Sequence, residues 1–388
     1  MENVLSREYA VPFLQRLIAI DTCNPPGNEH RLSLVLMSLL NDIGIPAVIS
    51  PLSTDRSNVE VTLKGSGRKK LMFCGHLDTV SPWSASAGKY SPHGAAIEGD
   101  RIYGRGASDM KSGLAAMLLA LVSIQLDGIN LDGDLIFLAT AGEEVDSCGA
   151  RMYLDQYGVR DLDGMVIGEP TRGKVAVGHK GALWLRISLF GKSAHGSMPH
   201  LGLNAVEGMM EVINLLKGSA LQWVAHDPVL GSSSLSVNRI EGGVQTNVIP
   251  DRCVIDVDIR TVPPLTHAPL LEEIKRTLLR IQHVNPGFSF EVEQILDRSS
   301  IYTNPDHPLI RTALEINGQS DQDVHGVPYY TDGSVLQDEG ELPILIYGPG
   351  DERLAHQPDE WVNIDTYLES ITFYRETALR FLGTLDNE

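Results

Sequence analysis

Seven side chains able to bind or steer a metal ion follow short apolar runs or sit in a glycine-rich turn. GHLDTV (75–80) presents His76 and, two residues on, Asp78. GRGASDMKSG (104–113) presents Asp109, and AGEEVDS (141–147) presents Glu143 and Glu144. VIGEPT (166–171) adds Glu169, and AHQPDEW (355–361) adds His356. Imidazoles and carboxylates without a thiolate suit one or two Zn²⁺ ions with an open coordination position, or a harder ion such as Mn²⁺ or Co²⁺. A carboxylate such as Asp109 can bridge two ions about 3.5–4 Å apart. Adjacent glutamates can divide labour, one holding a cation while the other faces a water. Metal-assisted hydrolysis needs that pairing of a Lewis acid with a separate base.

Each group alone has a plainer reading. His76 with Asp78 reads as a solvated loop, Asp109 as the cap of the helical run behind it, and Glu143 and Glu144 as exposed loop acids. Their placement argues otherwise. LMFCG (71–75), LIFLAT (135–140), MVIG (165–168) and ILIYGPG (344–350) read as short strands, and each leads within a few residues to a ligand-type side chain. In open α/β sheets, sites form beyond the carboxyl ends of the strands. Spacing does not give the order of those strands.

The elements that must position these groups define an α/β fold. Helical spacing predicts helices over 6–20, 31–43 and 111–124. From about 178 the rhythm changes: strand 182–191, helix 203–216, strands 234–243 and 253–262, helix 270–281, strand 288–296. That β-α-β-β-α-β order is a ferredoxin-like unit. The expected division is a catalytic domain formed by 1–178 and 297–388, interrupted by an inserted domain over 179–296. Arg260 falls on the polar face of an alternating strand, opposite Ile255, Val257 and Ile259, where a guanidinium suits bidentate capture of a carboxylate.

Composition excludes several classes. The chain has 388 residues, 43% of them hydrophobic, and 50 acids against 31 bases give a net charge of −19. With no basic run of five residues, nucleic acid is not an expected partner. Cys23, Cys74, Cys148 and Cys253 show no CxxC spacing, which argues against a disulfide framework and against a thiolate zinc site. MENVLSREYA lacks the basic-then-apolar pattern of a secretory signal, and the apolar helical run 114–124 is too short for a bilayer. The expectation is a cytoplasmic protein with no membrane partner.

The series GHLDTV, GRGASDMKSG, AGEE, GEPT, GKSAHGSMP, TNVIP and GPG…AHQPDEW resembles the M20 family of metallohydrolases, and within it the acetylornithine deacetylase and succinyl-diaminopimelate desuccinylase branch. The likeness runs from about residue 10 to 385. It implies a mixed-sheet zinc-hydrolase catalytic domain whose inserted ferredoxin-like domain serves as lid and homodimer contact. It also implies two divalent ions, zinc first, with Co²⁺ or Mn²⁺ as alternatives. His76, Asp109 and Glu169 would hold one ion, and Asp109, Glu144 and His356 the other. Asp78 would support His76, and Glu143 would be the general base. His195 would stabilise the oxyanion from the partner subunit, while Asn247 and Arg260 would contact substrate. The implied reaction is hydrolysis of the amide bond of a small N-acyl amino acid, with a dipeptidase or carboxypeptidase of the same family as the alternative. A non-catalytic dimeric binding protein is the competing class. It predicts missing ligands, and all five ligand positions and the base are filled.

Overall fold

The structure, a computed structural model, describes residues 3–84, 86–337 and 342–385. The chain divides into two compact units. The first comprises Met1–Gly178, Tyr302–His325 and Thr331–Glu388, and the second comprises His179–Ile301 with Gly326–Tyr330.

The first unit is built on a mixed sheet. Seven of its nine strands are β1 (Ala47–Pro51), β2 (Ser57–Leu63), β3 (Lys70–His76), β4 (Asp134–Thr140), β5 (Gly164–Ile167), β6 (Ala176–His179) and β7 (Ile344–Ile346), hydrogen-bonded in the order β1-β2-β4-β3-β5-β7-β6. The centre is parallel: β4 with β3, β3 with β5, and β5 with β7. The flanking pairs β1–β2, β2–β4 and β7–β6 are antiparallel. The parallel strands are the four apolar runs of the sequence. They read as continuous rather than alternating because β4, β5 and β7 are buried along their whole length.

Their register aligns their ends. His76 pairs with Thr140, Cys74 with Ile167, and Ile167 with Ile346. Parallel strands in this register deliver whatever follows them to one edge of the sheet. Helix α1 (Lys111–Leu126) is apolar on every side and buried from Lys111 to Ile124. A helix with no polar face belongs inside the layers, and this one packs against α2 (Ile364–Leu382), which keeps an exposed face. The helices expected near the N-terminus form over Arg7–Ile18 and Glu29–Asp42.

The second unit contains strand Gly181–Phe190, helix Ala205–Ala220, strands Ser234–Gly242 and Arg252–Thr261, helix His267–Val284 and strand Ser289–Arg298. The sheet is antiparallel, ordered 234–242, 252–261, 181–190, 289–298. In chain order this is 2-3-1-4, the ferredoxin-like arrangement. Leu183, Leu185, Ile187 and Leu189 alternate inward and join Met209, Val212, Ile274 and Leu278 of the two helices in one core. The last strand runs to Arg298 and this unit to Ile301, with Gly326–Tyr330 also part of it. Among the described residues no helix is long and apolar enough to cross a membrane.

Candidate metal centre

His76 ends β3 and is 1% exposed. Its Nδ1–H donates to the carbonyl oxygen of Asp78 at 2.9 Å. A carbonyl only accepts, so this contact fixes the tautomer and leaves Nε2 to coordinate. Nε2 lies 3.1 Å from Asp109 Oδ1 and 3.7 Å from Glu169 Oε1. Asp109 Oδ2 lies 3.4 Å from Nε2 of His356, which is 3.1 Å from Glu144 Oε2. Asp109 therefore stands between two imidazoles, one on each carboxylate oxygen, with Glu169 beside the first and Glu144 beside the second. It does not cap the helix behind it: Met110 is the N-cap residue and no side chain caps that end.

Ligand atoms of His76, Glu143 and Glu169 lie within 4.8 Å of one another, as do those of His76, Asp109 and Glu144. These groupings differ from the two ligand sets that the family resemblance implies. Glu143 sits among the ligands, and His76 belongs to both groups.

The donor set fits divalent cations. With Nδ1–H committed to a carbonyl, the Nε2 lone pair of neutral His76 faces carboxylate oxygen. Two acceptors at that distance attract only through a proton or a cation between them. Burial alone would lower the His76 pKa, but the hydrogen bond to Asp109 and the charges of Glu169 and Glu143 raise it well above the ordinary imidazole range. Hydrogen bonds to Asp109 and Glu144 push His356 up to about 10. Burial drives the Glu143 and Glu169 carboxyls well above the usual carboxylate range. Burial also opposes ionisation of Asp109, yet its contacts with His356 and His76 hold it well below that range. Such a collection of buried acids around two imidazoles needs added positive charge.

Asp78 is fully buried, and its carboxylate is spent on a neighbouring loop. Oδ1 accepts from the Glu143 N–H at 3.1 Å, and Oδ2 from the Glu144 N–H at 3.3 Å and from Asn24 Nδ2 at 2.9 Å. The carboxylate lies 3.6 Å from His76 Nδ1, farther than the residue's own carbonyl. The expected support of His76 thus comes through the Asp78 main chain, while the side chain holds the two glutamates.

The loop after β7 runs close to both ligand-bearing turns. A Cβ on Gly350 would stand 2.1 Å from the Ser108 carbonyl, and one on Gly348 would stand 2.5 Å from that of Glu169, so only glycine allows the passage. His356 itself has φ +64°, a conformation rare outside glycine.

Three groups escaped sequence reasoning. Asn24 sits in the turn-rich DTCNPPG. Asp332, in the YYTDGS loop, is buried and accepts from Thr140 Oγ1 at the end of β4 at 2.6 Å. Glu360, four residues beyond His356, pairs with Arg105 at 2.6 Å. Its only sequence signal was a second acid within AHQPDEW.

His195, Asn247 and Arg260 lie in the second unit. A short ladder pairs His195 with Val248, and the Gly196 N–H donates to the Asn247 carbonyl at 2.7 Å, so GKSAHGSMP and TNVIP run side by side. His195 is exposed. Its Nδ1 accepts from the Ser197 N–H at 3.1 Å, which places the ring proton on Nε2. Arg260 pairs in a fork with Asp258, Nε to Oδ1 at 2.9 Å and Nη2 to Oδ2 at 3.1 Å. Nη1 takes no part in that pair, and Nη2 has a second N–H on the same outer edge.

The sequence matches Peptidase family M20/M25/M40 over residues 72–380. A probable succinyl-diaminopimelate desuccinylase of Staphylococcus epidermidis is 28% identical over 411 residues, covering 98% of this chain and 99% of that one. An acetylornithine deacetylase of Edwardsiella ictaluri is 30% identical over 370 residues, 91% of each chain. Among solved structures, the M20 family metallo-carboxypeptidase Sso-CP2 of Sulfolobus solfataricus superimposes with a TM-score of 0.78 at 19% identity, covering 95% of this chain and 98% of that one. The chain belongs to Peptidase family M20/M25/M40 and is a metallohydrolase of that family.

Proposed function

We propose that the protein hydrolyses the amide bond of a small N-acyl amino acid, of the deacetylase or desuccinylase type, with two divalent ions, zinc first. The observation that carries this reading is Asp109 held between His76 and His356 with Glu169 and Glu144 alongside. His76, Asp109 and Glu169 would hold one ion; Asp109, Glu144 and His356 would hold the other. The bound ions supply Lewis acidity and lower the pKa of water towards about 7.

Glu143, buried beside His76 and Glu169, takes a proton from the attacking water. Oxygen adds to the amide carbonyl carbon. The C–N bond then breaks, and the proton passes from Glu143 to the leaving nitrogen, giving a free amine and a carboxylic acid that loses its remaining proton to water as the carboxylate. His195, from the partner subunit of a homodimer, donates Nε2–H to the tetrahedral oxyanion. Asn247 and the outer edge of Arg260 contact the substrate, with Arg260 directed at its carboxylate. Asp78 keeps the Glu143 loop in place. The inserted unit serves as lid and dimer contact. The four free cysteines accord with a reducing, cytoplasmic location.

Zinc-loaded protein assayed on N-acetyl and N-succinyl amino acids beside dipeptides tests the reading. Turnover of the acyl amino acids is expected. Cleavage of dipeptides alone would establish the peptidase alternative, and no turnover with full metal would favour a binding protein. Mixing a His195→Ala chain with a Glu143→Ala chain should recover activity through mixed dimers; no recovery would remove the role of His195 across subunits.

A further inference from the structure

Glu360 is 1% exposed, yet its two carboxylate oxygens meet four donors. Oε1 accepts from the main-chain N–H groups of Ser108 at 2.8 Å and Asp109 at 3.0 Å. Oε2 accepts from Arg105 Nη1 at 2.6 Å and the Gly106 N–H at 3.2 Å. The turn 105–109 thus closes around one carboxylate, as main-chain amides close around a bound anion. Gly106, at φ +82°, supplies the left-handed residue that lets successive N–H groups converge. The anion in this nest is the protein's own side chain, and the last donor belongs to Asp109 itself.

The second arm of the same device reaches the other ligand loop. Arg105 is 3% exposed; while Nη1 holds Glu360, Nη2 donates to the His356 carbonyl at 3.4 Å. Glu360 is also four residues from His356 along the chain. One buried ion pair therefore ties the turn carrying Asp109 to the loop carrying His356. We propose that Glu360, acting through Arg105, is a positioning residue that sets the spacing of Asp109 and His356 and thereby the affinity for metal.

The chemistry of the side chain matters here. Glutamine offers one carbonyl oxygen to four donors, and its NH₂ would meet Arg105 or main-chain N–H groups donor to donor. Lysine at 105 keeps a positive charge opposite Oε2 but has no fork with which to reach the His356 carbonyl. Neither change touches an atom assigned to bind metal.

The proposal rests on the metal-centre reading, and its test separates the two. Zinc dissociation constants are measured on the full chain by competition with a chromogenic chelator, alongside thermal unfolding of the metal-stripped protein. Glu360→Gln should weaken zinc binding by about 10- to 100-fold, the usual cost of losing a partner that orients ligands. Arg105→Lys should weaken it by a smaller factor. Affinities within twofold of the parent in both variants would overturn the proposal, as would a fall in unfolding temperature with unchanged affinity. Should Glu360→Gln fail to fold, Arg105→Lys decides alone by the same criteria. A parent chain that binds no zinc would overturn the metal centre, and this proposal with it.

Discussion

Asp78→Asn separates two jobs that one residue could have. The carboxylate accepts three hydrogen bonds in a fully buried position, from the N–H groups of Glu143 and Glu144 and from Asn24. Asparagine keeps one oxygen and replaces the other with a donor. The oxygen facing Glu143 can be retained, but the Glu144 N–H then faces an NH₂ group, and Asn24 must turn its amide to adapt. Hydrogen bonds to a charged acceptor contribute about 1.5–3 kcal/mol each, and a stranded buried donor costs about 1–3 kcal/mol. Loss of one such bond, with Asn24 adapting, comes to about 3 kcal/mol. The midpoint of urea unfolding of the metal-free protein measures it. His76 keeps its hydrogen bond to the Asp78 carbonyl, so affinity for the ion held by His76, Asp109 and Glu169 should change far less than turnover. A shift of the Glu143 loop by about 1 Å is enough to cost about 100-fold in rate. A destabilisation under 1 kcal/mol, or lost zinc affinity with normal turnover at saturating zinc, would refute this reasoning.

Loading zinc should release protons, because burial raises the Glu143 and Glu169 carboxyls and neighbouring acids raise His76, and a bound cation pulls all three back down. Affinity should therefore fall as pH falls; titration calorimetry in buffers of different ionisation enthalpy measures the release, and a heat independent of buffer would contradict it. In the second unit, burial pushes His179 down to about 4, from an ordinary value of about 6.5. Between those values the unfolded chain binds a proton that the folded chain refuses, so stability is lost as pH falls through that window, by about 3 kcal/mol in full. His179→Asn keeps a donor for the Lys180 carbonyl without titrating. Denaturant melts of metal-free parent and variant at pH 7 and pH 4 should show the parent losing more, and parallel losses would count against it.

The lattice of strands was readable because burial on both faces writes itself as an unbroken apolar run, and LIFLAT or MVIG need no knowledge of their neighbours. Strand order was not, since β3 inserts between β4 and β5 only through pairings distant in sequence. The ligand-type residues stood out by chemical identity, whereas their grouping did not: nothing in AGEEVDS tells that Glu143 lies among His76 and Glu169 while Glu144 turns to His356. Glu360 was illegible for a related reason. Three of its four donors are main-chain amides, which every sequence possesses and none displays.

The same distinction explains why the centre is built on paired layers rather than on the ligands alone. The carboxylates crowded at one sheet edge, Asp109, Glu144 and Glu169, repel one another in the metal-free chain and outnumber the two imidazoles between them, so the ligands alone do not hold this edge together. Its geometry must come from groups whose bonds are complete before any cation arrives. Those groups are visible here. The Asp78 carboxylate holds the main chain of Glu143 and Glu144, its carbonyl holds the His76 ring, and Glu360 holds the turn of Asp109. Each uses a saturated, buried acceptor to fix a neighbour that is left unsaturated. Metal binding then meets ligands already held at fixed positions instead of assembling the site, which is why changes at Asp78 or Glu360 should alter what the centre does while the sheet beneath it remains folded.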